Sequence, residues 1–362
     1  MADSGLAGVV AAETRLSHVD GERGELIIAG FPVGELAPHA TFEQTTWLLW
    51  NGELPSTGEL DRFRTALAAE RTLPGGAEAL LQECARAALD PMDALRIAAG
   101  TIAMSSDAPE AIVGRMPTIV AAYWRLRRGE QPIAPRPDFG HAENFLYMLS
   151  GEVPDPARTR ALETYLNTVV DHGLNASTFT CRVITSTGSD LVSAIVGAIG
   201  ALKGPLHGGA PGPALDMVFE IGEASRAEAV LRAKLAAGEK LMGFGHRVYR
   251  VRDPRADVLA IAAERMFERA GDKHLYALAR HVETTALRLL EEYKPGRRLQ
   301  TNVEFYTALL LHGLGFDVSL FTPTFAISRV SGWIAHAMEQ KRANRIIRPQ
   351  SEYVGPRDRV WA

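Results

Sequence analysis

The chain has 362 residues, 46% hydrophobic and 23% charged, with a net charge of −4. That is the balance of a folded globular protein with room for one large domain or two modest ones, and its acidic sign gives nucleic-acid binding no electrostatic support. Cys84 and Cys181 are too few for a disulfide framework or a cysteine-rich metal site, and they fit a reducing cytosol.

The N-terminus, Met-Ala-Asp-Ser-Gly-Leu, lacks the basic segment and apolar core of a signal peptide. Residues 1–40 hold the only strand-like hint, Glu25–Ala29 between Gly24 and Gly30. Thr41-Phe-Glu-Gln44 and Ser56-Thr-Gly-Glu59 are capping-box patterns, the first opening a helix that Gly52 closes. Leu60, Phe63 and Leu67 then recur at helical spacing. Asp90-Pro91 and Asp155-Pro156 each place an N-cap residue before a first-turn proline. Leu162, Tyr165 and Val169 line one face of the second of these helices, and Thr322-Pro323 predicts the same start before Thr324–Gln340. Ile112–Arg128, Asp257–Ala270 and Leu275–Glu292 also read as long helices. Leu191–Leu202 is apolar but too short to span a bilayer, so it reads as a buried helix with small residues for close packing. No alternation is long enough for a sheet, and the start and stop signals predict a nearly all-α chain of roughly fifteen helices.

Six segments could carry chemistry. Leu241–Arg255 packs a Gly-x-Gly-His turn, four arginines (Arg247, Arg250, Arg252, Arg255) and an Asp-Pro break into one stretch. Gly243 and Gly245 permit φ > 0 and close ligand approach, and His246 follows as a proton donor or shuttle. The alternative is a basic loop between two helices. Asp171-His-Gly-Leu-Asn-Ala-Ser-Thr178 ends one helix and begins another, leaving His172 open to a cleft or to a helix dipole. Gly204-Pro-Leu-His-Gly-Gly-Ala210 holds His207 in turn geometry, within the Gly/Pro-rich stretch Gly204–Pro213 that suits a hinge. There the histidine either faces a ligand or caps a neighbouring helix. Thr301-Asn-Val-Glu304 reads as another capping box, in which the dipole favours an ionised Glu304. An ionised carboxylate at the lip of a cleft is also what a general base must be. Arg329, among Phe325, Ile327 and Trp333, needs an anion, either an internal acid or a ligand. Arg348 precedes Pro349 in an extended tail, where a solvated charge is the plain expectation. No His-x-x-x-His or paired Cys-x-x-Cys appears, so the spacing predicts no metal site.

In order along the chain, these pieces resemble the citrate synthase family from end to end. The likeness runs from Gly21 through Met116-Pro-Thr-Ile-Val-Ala-Ala-Tyr, Asn144-Phe-Leu-Tyr-Met-Leu and Gly243-Phe-Gly-His-Arg-Val-Tyr-Arg-Val-Arg-Asp-Pro-Arg255 to Tyr353-Val-Gly355. The resemblance implies an all-α fold of two domains: a large one, residues 1–206 and 313–362, and a smaller one, 207–312, that closes over the substrates. It implies that His172, His246, Arg255, Arg329 and Arg348 bind oxaloacetate, with Arg348 reaching in from the partner of a homodimer. The backbone of Leu241, Met242, Gly243, Phe244 and Gly245 would hold the adenine end of acetyl-CoA. Glu304 would be the base, His207 the donor to the thioester oxygen, and His246 the acid. Coenzyme A enters as substrate, and no metal, cofactor, membrane or nucleic acid is implied. A preference for propionyl-CoA, making 2-methylcitrate, is the near alternative, since a methylene discriminates weakly. A regulator that binds acyl-CoA or dicarboxylate is the distant one. Two positions depart from the family pattern: Glu304 stands where aspartate is usual, and Pro211 where asparagine usually follows Gly-Gly-Ala.

Overall fold

The computed structural model describes residues 5–6, 8–208, 211–246, 248–270 and 273–361. Met1–Ser4, Ala7, Gly209, Ala210, Arg247, Gly271, Asp272, Ala362 and the side chains of Pro211 and Ala270 lie outside that description.

The described residues form sixteen α-helices, three 3-10 turns and one small sheet. Most starts follow the local rules. Thr41 caps Phe42–Asn51, with Oγ1 accepting from the Gln44 N–H and the Gln44 side chain accepting from the Thr41 N–H, and Gly52 closes it at φ 88°. Glu59 accepts from the Ser56 N–H at the start of Thr57–Ala69. Asp90 and Asp155 cap Pro91–Ala99 and Pro156–Val169 through the N–H two residues on. The three long helices expected at 112–128, 257–270 and 275–292 are observed as Pro109–Arg127, Pro254–Ala270 and Lys273–Tyr293. Pro211 opens Pro211–Ile221, and a first-turn residue has no intrahelical use for its N–H.

Two expectations are corrected. Glu25–Ile28 is not alone: it forms the centre of an antiparallel sheet, β1 (Ser17–Asp20), β2 (Glu25–Ile28) and β3 (Phe31–Pro32). Strands this short carry too few residues to show alternation. The last helix does not start at Thr322-Pro323. Asp317 caps a 3-10 turn, Val318–Leu320, which runs straight into Phe321–Arg342.

That last helix is the axle of the fold. It is buried on every side and packs against the helices at 42–51, 109–127, 156–169, 176–186 and 191–202. Gly332 permits the closest approach, because a Cβ there would lie 2.3 Å from the Val170 carbonyl oxygen. The contact brings Arg329 under the end of the 156–169 helix, where its Nε donates to the Val169 carbonyl at 2.7 Å. On the other side, the 254–270 helix packs against both 156–169 and Val303–Gly313. Among the described residues no single helix is long and apolar enough to cross a membrane. The bent pair Val303–Gly313 and Val318–Arg342 passes on length and composition, and its residues are mostly buried in the core.

Gly332→Ala should destabilise the protein by about 1–3 kcal/mol, the usual cost of overpacking a tight contact. Urea unfolding measures it, and an unchanged midpoint would show that the approach at Val170 tolerates a methyl group.

Candidate active site

Most of the residues singled out above meet in one cavity of about 1220 Å³. His172, His207, His246, Arg255, Glu304, Arg329 and the run Leu241–Gly245 all line it. Arg348 does not: it lies exposed on the C-terminal tail.

The cavity is assembled by a short backbone pairing. Gly243 and Gly245 take φ of 86° and 85°, which turns the chain so that Phe244 bridges Thr301. The Gly245 N–H donates to the Gln300 carbonyl at 2.7 Å, and the Asn302 N–H to the Gly243 carbonyl at 3.0 Å. Asn302 completes the joint with its side chain. Its Nδ2 donates to the Gly245 carbonyl at 2.8 Å, and its Oδ1 accepts from the Glu304 N–H at 3.0 Å. Asn302 is therefore the N-cap of Val303–Gly313, and the expected Thr301–Glu304 capping box does not form. The carboxylate of Glu304 is left to the cavity.

That carboxylate is not held ionised by the helix end. Burial in the cavity wall pushes it up to about 7, against the opposing pull of Arg255 and with a small push from Asp253. Desolvation outweighs the dipole because the first turn faces the cavity rather than bulk water.

Both cavity imidazoles at the proposed reaction centre are neutral, and hydrogen bonds assign their tautomers. His207 accepts at Nε2 from the Ser177 N–H at 3.3 Å, and the Ser177 hydroxyl lies 2.8 Å from the same nitrogen. The proton then sits on Nδ1. His207 thus accepts from the first turn of the helix Ala176–Ser186, whose N-cap is Asn175, and it also lines the cavity. His246 accepts at Nδ1 from the N–H groups of Val248 and Tyr249, at 3.0 and 3.1 Å, while Arg255 Nη2 lies 3.4 Å from Nε2; the two shorter backbone bonds outweigh the one long contact and favour the proton on Nε2. Burial lowers each to about 4, helped by Arg329 for His207 and by Arg255 for His246. His172 is held well below its ordinary value by burial and then by Arg255 and Arg329. Its Nε2 lies 3.1 Å from the Tyr249 hydroxyl.

Two buried arginines face these rings. Asp253 grips Arg255 with both oxygens, at 3.0 Å to Nε and 2.8 Å to Nη2. Asp253 also accepts from the N–H groups of Arg255 and Val303, which ties the start of the 254–270 helix to the start of the helix bearing Glu304. Arg329 stacks over Phe325 at 4.5 Å and forms no ion pair among the described residues. Burial pulls it down to about 10, although Asp171 favours its charged form. No acid among the described residues forms an ion pair with it, and its side chain lines the cavity.

Sequence reasoning missed Asp253, Asn302, Tyr249 and Ser177. Asp253-Pro254 carried a readable N-cap signal. The other three also act through partners distant in sequence, Gly245 for Asn302, His172 for Tyr249 and His207 for Ser177. Outside the cavity, His18, Asp20 and Glu25 bring one possible ligand atom each within 4.8 Å of the others, an effect of strand pairing that spacing along the chain does not show.

Neutral donors, a carboxylate near its midpoint and paired cationic forks on a helical scaffold equip an acid–base enzyme that grips an anion. The chain belongs to the citrate synthase family, and residues 5–350 match the family described as citrate synthase, C-terminal domain. It is 42% identical to citrate synthase 2 of Bacillus subtilis, over 98% of this chain and 96% of that one. It is also 42% identical to the 2-methylcitrate synthase of Mycobacterium tuberculosis, over 98% of this chain and 91% of that one. The solved ternary complex of Thermoplasma acidophilum citrate synthase with carboxymethyl coenzyme A and oxaloacetate superposes with a TM-score of 0.88. That pair is 29% identical, and the match covers 98% of this chain and 96% of that one.

Two outcomes follow from this geometry. Asn302→Ala should cost about 1–2 kcal/mol through the lost cap, and thermal unfolding measures that. Glu304 has a folded pKa near 7 against an ordinary 4.5. The folded state therefore favours its protonated form, and the advantage is complete below 4.5 and lost as pH rises through 7. Glu304→Gln should be more stable than the parent at pH 8, by up to about 3 kcal/mol, and no more stable at pH 4. Equal stabilities at pH 8 would mean the carboxylate is solvated.

Proposed function

We propose that this protein condenses acetyl-CoA with oxaloacetate and water to give citrate and free coenzyme A. The observation that supports it most is the convergence of Glu304 with a Nδ1–H imidazole and a Nε2–H imidazole on one cavity. A thioester methyl is a weak carbon acid, so a carboxylate removes its proton only if the enolate oxygen is stabilised as charge develops. Glu304 takes the proton, and the Nδ1–H of His207 donates to the thioester oxygen. A neutral imidazole suits that task because it leaves no fixed charge to bind the ground state. The enolate carbon attacks the ketone carbon of oxaloacetate, the Nε2–H of His246 passes its proton to the ketone oxygen, and the proton taken up by Glu304 replaces it on His246 before the next turnover. Arg255, Arg329 and His172 hold the two carboxylates and align the reacting carbons. Water then cleaves the citryl thioester, releasing coenzyme A.

The same reading assigns the backbone of Leu241–Gly245 to the adenine end of coenzyme A. It assigns exposed Arg348 to the oxaloacetate site of a second copy in a homodimer. Residues 207–312 close on the remainder about the hinge at Gly204–Pro213, in a cytosolic protein whose two buried cysteines stay free thiols. The chemistry uses no metal or redox cofactor. The equal likeness to the Mycobacterium tuberculosis 2-methylcitrate synthase supports a second reading, with propionyl-CoA as donor.

Thiol release from acetyl-CoA and from propionyl-CoA, each with and without oxaloacetate, tests both readings. Release that requires oxaloacetate is expected, and the ratio of rates names the donor. Oxaloacetate binding with no thiol release from either thioester would favour the regulator. Glu304→Gln should lower kcat by about 10²–10⁴-fold, the usual share of a general base, with oxaloacetate affinity unchanged. In the parent, kcat/KM for the acyl-CoA should rise with pH through about 7 as Glu304 ionises. A flat profile from pH 6 to 8 would remove Glu304 from the role of base.

A further inference from the structure

We infer that Ser17 is a positioning residue for the dicarboxylate half of the site, its hydroxyl clamping the turn that carries His172 from both sides. The inference rests on the reading of His172 as an oxaloacetate-binding group.

Ser17 begins β1 and does not line the cavity. Its Oγ donates to Asp171 Oδ2 at 2.5 Å and accepts from the Gly173 N–H at 2.8 Å. One hydroxyl thus spends its single proton and a lone pair on the two residues that flank His172. The bond to Gly173 sets the tilt of the peptide that follows His172, at a residue in the left-handed region with φ 60°. The bond to Asp171 holds the residue before it.

Asp171 is itself fixed from the other direction. It is fully buried, and its Oδ1 lies 3.1 Å from His336 Nε2 on the axle helix. His336 Nδ1 is 3.1 Å from Arg182, which pairs with Glu339 at 2.7 Å. Burial pushes the Asp171 carboxyl up, but His336, Arg329 and Ser17 outweigh it and hold the group below its ordinary value. The anchored carboxylate gives Ser17 a rigid acceptor, so the hydroxyl transmits the position of β1 to the turn. The hairpin also reaches the other histidine loop, where the Gly21 carbonyl accepts from the Arg250 N–H at 2.8 Å. A single β1–β2 hairpin therefore sets how far apart the His172 and His246 turns stand, and their rings lie 5.9 Å apart.

The test compares Ser17→Ala, Ser17→Val and Ser17→Thr by steady-state kinetics. Ala and Val should raise KM for oxaloacetate about tenfold, the worth of a hydrogen bond to a charged group. The KM for acetyl-CoA and kcat should change by less than about threefold, and Thr should recover most of the loss. Val and Thr share a shape, so that pair isolates the hydroxyl even if Ser17→Ala does not fold. Thr41→Ala, which removes a helix cap away from the cavity, serves as the stability control and should lower Tm without moving KM. Equal oxaloacetate KM values for Val and Thr, or for Ala and the parent, would overturn the inference. His172→Asn separates it from the reading beneath it. A raised KM in that variant, with none in the Ser17 variants, overturns the inference alone. An unchanged KM in His172→Asn overturns the role of His172 as well.

Discussion

Asn302 joins the turn that carries His246 to the helix that carries Glu304. Its backbone and side-chain amides hold the carbonyls of Gly243 and Gly245, while its side-chain oxygen starts the helix that bears Glu304. The turn presenting His246 and the helix presenting Glu304 are therefore one mechanical unit. Asp253 adds a second rivet, from the guanidinium of Arg255 to the Val303 N–H. Reactions between carbon centres depend on alignment within fractions of an ångström. Hydrogen bonds between adjacent turns provide that without a long scaffold in between.

The electrostatics of the cavity run against the stability of the isolated chain. Arg329 is buried without an acid of its own, three imidazoles are kept neutral, and Glu304 is raised toward neutrality. Each is a cost of desolvation that folding must carry. In the proposed reaction that cost is offset when a dicarboxylate enters, because Arg329 then gains a partner and the neutral rings do not compete for charge. The core absorbs the cost. The axle helix is buried around most of its circumference, and the close contact at Gly332 sits beside Arg329, which lines the cavity.

The likeness to a citrate synthase and to a 2-methylcitrate synthase at the same identity has a physical basis. The two reactions share the base, the acid and the dicarboxylate grip, and differ by one methylene on the acyl group. Apolar contacts discriminate a methylene by roughly 10–200-fold, which small changes in the cavity wall supply. Glu304 lines the same cavity as His207 and His246.

Much of this protein was legible in the sequence by itself. Local capping chemistry marked the helices, because Thr41, Asp90 and Asp155 satisfy N–H groups two or three residues away. The Gly-x-Gly-His turn announced itself through backbone freedom that only glycine has, and the order of motifs carried the family. The tertiary structure decided what depends on distant partners. It made Asn302 the cap in place of Thr301, because Asn302 alone could also bridge to Gly245. It raised Glu304 toward 7 where the dipole argued for ionisation, because burial is a property of the packed cavity and not of the helix end. It paired three strands too short to show a pattern. It also set the tautomers of His207 and His246, since the N–H groups that choose them come from how turns and helices meet in space.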